Sequence, residues 1–243
     1  MAKPSNSYSM AHHSTIINYP IDYTLFPNAK NVIFHEYIIT PKEYLFIPHH
    51  WFHWIFSEPY TVSSHYIFYN HNIKSHNDDQ EEYSDLFYND IVDNQPFTGK
   101  SMKDLPFNIN DLLTSTFKFR ALCSNEYDVS PLKKQDSQHK YLKIDTISNL
   151  LKESKEKNIY AYVGKNSIDK TLDIYNDMNN IIHSSYTYHY EPTLWFTIDK
   201  PVQSGLHFDS YSSLIYILSG QKKVLLAEPT HINNLYMHED TRI

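Results

Sequence analysis

Two clusters of short aromatic and β-branched segments, set far apart in the chain, limit the fold more than any other feature. The front cluster reads "VIFHEYII", "EYLFIP" and "YTVSSHYIFY" between residues 32 and 69, with breaks at Pro41, Pro48 and Pro59. The back cluster reads "TLWFTID" (193–199), "LHFD" (206–209), "SLIYILS" (213–219) and "KKVLLAE" (222–228). Segments of this kind form strands, and Gly220–Gln221 between the last two gives a tight hairpin turn. The back cluster begins only shortly before Ile243. A sheet built from it alone would keep an open edge, so other strands are expected to complete it.

Composition narrows the class. Hydrophobic residues make up 41% and aromatics 15% of the 243 residues, enough for a core without staples. The one cysteine, Cys123, excludes an intrachain disulfide framework and fits a reducing, intracellular compartment, cytoplasmic or nuclear. No apolar run has the length of a membrane span, and "MAKPSNSYSMAHHSTIINYP" lacks the pattern of a secretory signal. A net charge of −7 argues against a general nucleic-acid binder. Four glycines cannot build a phosphate-cradling loop.

Along the chain, 1–16 reads as a disordered start, 17–70 as the front strands and 71–94 as an acidic linker, followed by 95–243. Within that last part, Asp145 is expected to cap a helix running to Asn158, with Ile147, Leu150, Leu151 and Ser154 on one face. A second helical pattern covers 167–184 through Ile168, Leu172, Tyr175, Met178 and Ile182.

His207 and Asp209 are the candidate metal ligands. In a strand, residues i and i+2 face one side, so an imidazole and a carboxylate can enter one barrel interior. They would be two members of a 2-His-1-carboxylate triad, which leaves positions open on Fe(II). An isolated H-x-D is common, and such a histidine is more often a packing residue than a ligand. The same bland reading covers His49 and His50, expected at the solvent side of a strand start, and His12 and His13 in the polar start. One cysteine without C-x-x-C spacing disfavours structural zinc. Trp51 and Trp54 read as core or rim packing.

The context of H-x-D is more specific. "SGLHFDSYSSLIYILSGQKKVLLAEP" resembles the JmjC/cupin-like family of Fe(II)- and 2-oxoglutarate-dependent oxygenases. It looks closest to the branch that includes the asparaginyl hydroxylase inhibiting hypoxia-inducible factor. The matching positions are Ser204, His207, Asp209, the 214–218 strand, Gly220, Lys222, the 224–226 strand and Pro229. "NQPFTGK" resembles the family's opening segment and "ISNLLKESKEKNIYAYVGK" its helix and following strand. Residues 95–243 thus look like the N-terminal two-thirds of such a domain. The distal histidine of the family is absent behind Asp209, but "LFIPHHWFHWIF" resembles the stretch that carries it and makes His53 the candidate. "TVSSHYIFY" resembles the closing strand, with His65 where an asparagine is usual. The usual turn glycine is replaced by Lys42 or Glu43.

The resemblance implies a mainly β fold with flanking helices: a double-stranded β-helix, or jelly-roll, barrel with its halves in permuted order. The permutation break would fall between "NLYMHEDTRI" and "INYPIDYTLFPN". A tandem remnant, or halves swapped between chains in a homodimer, is the competing account. It further implies Fe(II) on His207, Asp209 and His53, with 2-oxoglutarate as cosubstrate held by Lys222, Ser204 and Tyr160, and His65 beside it. Charge-assisted hydrogen bonds would hold the far carboxylate. By analogy the substrate is a protein side chain and the reaction a hydroxylation. The alternative is a catalytically inactive cupin-like binding or structural protein, or a decayed fragment.

Overall fold

The computed structural model describes residues 12–68, 95–101, 107–127, 140–167 and 192–238. The front cluster forms β1 (His35–Ile39), β2 (Glu43–Ile47), β3 (Phe52–Ser57) and β4 (Val62–Phe68). The middle supplies β5 (Phe97–Lys100), helix α1 (Ile109–Thr114), β6 (Phe119–Ser124), β7 (Lys140–Asp145), helix α2 (Ile147–Lys157) and β8 (Tyr160–Ser167). The back cluster forms β9 (Thr193–Thr197), β10 (Val202–His207), β11 (Ser212–Ser219) and β12 (Lys222–Ala227).

These strands make two antiparallel sheets, ordered β1-β12-β3-β10 and β5-β2-β11-β4-β9-β8-β6-β7. Front and back strands alternate in both. β12 lies between β1 and β3, and β11 between β2 and β4. The eight strands from the two ends form a jelly-roll, and β5 to β8 extend its larger sheet.

Three apolar layers follow from the period-2 alternation. Ile215 and Ile217 of β11 face the barrel interior with Leu45, Ile47, Ile55, Val224 and Leu226. Leu214, Tyr216 and Leu218 face the opposite way, into a layer with Phe196, Phe119, Ile147 and Leu150. That is why β11 reads as a near-continuous apolar run: both of its faces are covered. Phe52, Trp54 and Leu225 turn outward from the smaller sheet and are covered by Ile16, Ile21, Ala29 and Leu235. Trp54 is wholly buried and Trp51 nearly so, as core residues.

Several local expectations shift. The cap of α2 is Thr146, whose hydroxyl accepts from the Asn149 amide at 3.3 Å; Asp145 instead accepts from the Thr146 amide and the Asn149 side chain. Asn158 ends the helix in the left-handed conformation, φ 55°. Of the two residues expected where the resemblance implies a turn glycine, Lys42 takes φ 75°, a strain of about 1–2 kcal/mol for a residue with a side chain. Gly220, at φ +77°, has no such freedom to change: a Cβ there would lie 2.7 Å from Thr61 Cα. Of the start expected to be disordered, 1–16, residues 1–11 lie outside the described residues and 12–16 are ordered. Residues 12–16 pair with the barrel, and Ser14 and Ile16 are buried. The helix expected at 167–184 and the linker at 71–94 lie outside the described residues, except Ser167 at the end of β8. No helix among the described residues is long and apolar enough to cross a membrane.

Candidate metal centre

His53 and His207 are cross-strand partners on β3 and β10. Their rings lie 4.1 Å apart, centroid to centroid, at 59°. Nε2 of His53 is 3.6 Å from Oδ2 of Asp209. One donor atom from each of the three residues falls within 4.8 Å of the others. β10 ends at His207, so Asp209 does not reach the site by strand alternation, as the sequence pattern suggested. It is carried just past the strand end, where its backbone carbonyl accepts from the His50 amide at 2.8 Å. The Ser212 hydroxyl accepts from the His49 amide at 3.0 Å, which fixes the same loop pair. His50 itself is exposed, at φ 65°.

Backbone carbonyls orient both imidazoles. His53 Nδ1 lies 3.1 Å from the Trp51 carbonyl, and His207 Nδ1 lies 2.7 Å from the Gly205 carbonyl. A carbonyl can only accept, so each Nδ1 carries the proton and each Nε2 presents its lone pair. This is the tautomer a metal-ligating histidine needs.

Deeper in the barrel, Lys222 is fully buried at the start of β12. Its Nζ lies 3.4 Å from His65 Nε2 and 3.4 Å from the Tyr162 hydroxyl. Among the described residues no carboxylate pairs with it, and burial pulls its pKa down to about 7. Burial, then Lys222 and His53, holds the His65 imidazole well below its usual value. The His65 ring stacks on Trp195 at 4.9 Å and meets the Ser63 hydroxyl at 3.3 Å. Burial raises the Tyr162 phenol, while a hydrogen bond from Ser57 opposes it.

Ser204 pairs with Ile55 in the β10–β3 register and so faces the barrel interior. Its hydroxyl is buried without a hydrogen-bond partner, as is that of Thr197, which pairs with Tyr162 across β9 and β8. Tyr160 is not brought to Lys222: its ring lies under Lys200 Nζ at 5.1 Å and meets Tyr127. The residue beside Lys222 is Tyr162, two positions on. "YAY" offers two tyrosines on one strand face, and how β8 lies against β9, together with where β12 starts, chooses between them.

The residues present fit a divalent metal with a small dianion beside it. Two Nε2 lone pairs and a carboxylate suit Fe(II). A buried ammonium with no carboxylate paired to it among the described residues is costly, as is a buried hydroxyl without a hydrogen-bond partner, and an anion in the barrel would complete both.

A family model described as a cupin-like domain matches residues 121–242, a span that holds Ser204, His207, Asp209 and Lys222 but not His53. The chain is also similar to a JmjC domain-containing protein of Acanthamoeba polyphaga mimivirus, 27% identical over 252 aligned positions. That alignment takes in 94% of this chain and 39% of the relative, so the chain spans about two fifths of the relative's length. At that coverage it runs through both strand clusters in the order found here. No solved structure matches the chain significantly. With half of its length, including the H-x-D strand, matched by the family model, the chain belongs to the cupin-like domain family.

Proposed function

We propose that this protein is an Fe(II)- and 2-oxoglutarate-dependent oxygenase that hydroxylates a protein side chain. The observation that carries the reading is Lys222: a buried ammonium with no paired carboxylate among the described residues, in the same barrel as a His-His-Asp group. His53, His207 and Asp209 would hold the metal. Lys222, Ser204 and Tyr162 would hold the far carboxylate of 2-oxoglutarate by charge-assisted hydrogen bonds.

Iron and 2-oxoglutarate, when bound, supply oxidative decarboxylation to succinate and carbon dioxide, coupled to oxidation of the substrate. The chain's own part is positional. The Trp51 and Gly205 carbonyls hold the protons on Nδ1 of His53 and His207 and keep both rings turned toward the centre. Ile55, Val224 and Ile217 line the interior with hydrocarbon, which excludes water and strengthens the Lys222 interaction. Trp195 packs flat on His65 and holds its Nε2 against the lysine.

The interleaving of front and back strands supports reading the chain as a circular permutation of the usual strand order. Breaks of that kind are tolerated at exposed loops.

The test is succinate release from 2-oxoglutarate with added Fe(II), followed by mass spectrometry of candidate protein substrates for one added oxygen. Absence of both Fe(II)-dependent turnover and 2-oxoglutarate binding would leave the inactive cupin-like reading, which the His65–Lys222 contact favours by giving the lysine a partner of its own.

A further inference from the structure

β10, the strand that carries His207, is the last strand of the smaller sheet, and its pairing with β3 slips between Ser204 and His207. The His207 end of this strand is therefore held by an interrupted ladder on one side, and among the described residues no barrel strand pairs with it on the other. Residues 12–15 occupy that second side. The Ser14 amide donates to the Leu206 carbonyl at 2.8 Å, and the Phe208 amide donates to the His12 carbonyl at 3.0 Å. These two bonds straddle a His13–His207 bridge. In an antiparallel ladder the pair between two such bonds is the non-hydrogen-bonded one, whose side chains stand closest. The His13 ring accordingly lies flat on the His207 ring, 4.8 Å away and within 14° of parallel.

The segment is itself anchored from behind. The Thr15 amide donates to the Tyr236 carbonyl at 2.8 Å, and the His238 amide donates to the His13 carbonyl at 2.9 Å. The Ser14 hydroxyl donates to the Leu235 carbonyl, and Ile16 is buried in the outer layer of the smaller sheet.

We propose that residues 12–15 are a clamp on the H-x-D strand, and that His13 is a positioning residue that sets the plane of the His207 imidazole. The inference rests on the metal reading of His53, His207 and Asp209. His207 is then fixed three ways: by its Nδ1 bond to the Gly205 carbonyl, by the tilted His53 ring on one side and by the flat His13 ring beside it. Groups that orient a ligating histidine typically change metal affinity by about 10–100-fold when removed. His13 works through ring packing, so a flat apolar ring should replace it.

The experiment is Co(II) titration of the full chain, read by calorimetry and by the visible spectrum of the bound ion, with no turnover involved. His13→Ala should weaken Co(II) binding about tenfold or more and alter the ligand-field bands. His13→Phe should stay within about threefold of the parent, with the parent spectrum. If His13→Ala fails to fold, His13→Leu, which fills the space without a flat ring, takes its place in the comparison. Unchanged affinity and spectrum in the ring-less variant overturn the clamp. Equal loss in the Ala and Phe variants also overturns it, because an imidazole nitrogen would then be the acting group. A parent protein that takes up no Co(II) brings down the metal reading and this inference with it. Uptake by the parent that is indifferent to His13 brings down the inference alone.

Discussion

The ammonium of Lys222 stands 3.4 Å from Nε2 of His65 and 3.4 Å from the Tyr162 hydroxyl, inside the barrel and with no carboxylate paired to it among the described residues. Burial lowers this lysine from its usual 10.5 to about 7. His65 is held well below 6.5 and stays neutral over the range that follows. Above pH 7 the unliganded protein therefore holds mostly neutral Lys222, whereas a bound carboxylate favours the ammonium. Binding of 2-oxoglutarate should take up a proton there, and affinity should fall by up to about tenfold per pH unit above 7. Below pH 7 this contribution levels off. Calorimetry in two buffers of different ionisation enthalpy measures the uptake, and Lys222→Met should abolish it. The same shift sets a stability trend. The unfolded chain binds more protons than the folded one between about 7 and 10.5, so unliganded stability should rise with pH across that window. A Lys222→Met variant should lose this rise.

The two tyrosines of β8 have different neighbours, Lys222 for Tyr162 and Lys200 for Tyr160. Tyr162→Phe removes a hydroxyl beside Lys222 and should raise the KM for 2-oxoglutarate about 10–150-fold, the worth of one hydrogen bond to a charged group. Tyr160→Phe, whose ring lies near Lys200 and Tyr127, should leave KM unchanged. The reverse pattern in steady-state kinetics would return the role to Tyr160.

Loss of a metal ligand acts on turnover rather than on cosubstrate affinity alone. His207→Ala and Asp209→Ala should each reduce Fe(II)-dependent succinate release to background, because each removes one of three donors grouped within 4.8 Å. His53→Ala should do the same if the front strands supply the third donor. Turnover at the parent rate in any one of the three would put the centre elsewhere.

Strand identity was legible in the sequence because the apolar periods are short and bounded by proline and glycine. β2, β4, β9, β11 and β12 lie within two residues of where the pattern put them at each end. Lys222, His207 and Asp209 could be singled out because they stand at set distances along one continuous segment. What local pattern could not carry is register between distant strands. The choice of Tyr162 over Tyr160 depends on how β8 lies against β9 and on where β12 starts. The pairing of residues 12–15 with β10 was equally hidden, since a four-residue polar segment has no periodicity and gains its order only from the edge it meets. The H-x-D argument brought His207 and Asp209 together by strand alternation, whereas they meet because Asp209 follows just past the end of β10.

Chain order gives the last prediction. Among the described residues, β10, β11 and β12 have no ladder partner except front strands: β10 pairs with β3, β11 with β2 and β4, and β12 with β1 and β3. A chain reduced to residues 71–243 would therefore leave three strands with every edge bare. It would also lose Phe46, Phe52, Trp54 and Ile55 from three apolar layers, side chains worth about 1.5–3 kcal/mol each when fully buried. That loss exceeds the whole stability of a typical domain once the remaining front residues are added. The fragment should be insoluble or molten, with no cooperative melt and no metal uptake. Adding residues 1–70 as a separate chain should restore both, because the interleaved ladders need the strands and not the covalent link. The circular-permutation reading requires the front to be core in this sense, whereas a tandem remnant would be dispensable. A soluble 71–243 fragment that melts cooperatively would overturn the permutation and withdraw His53 from the centre.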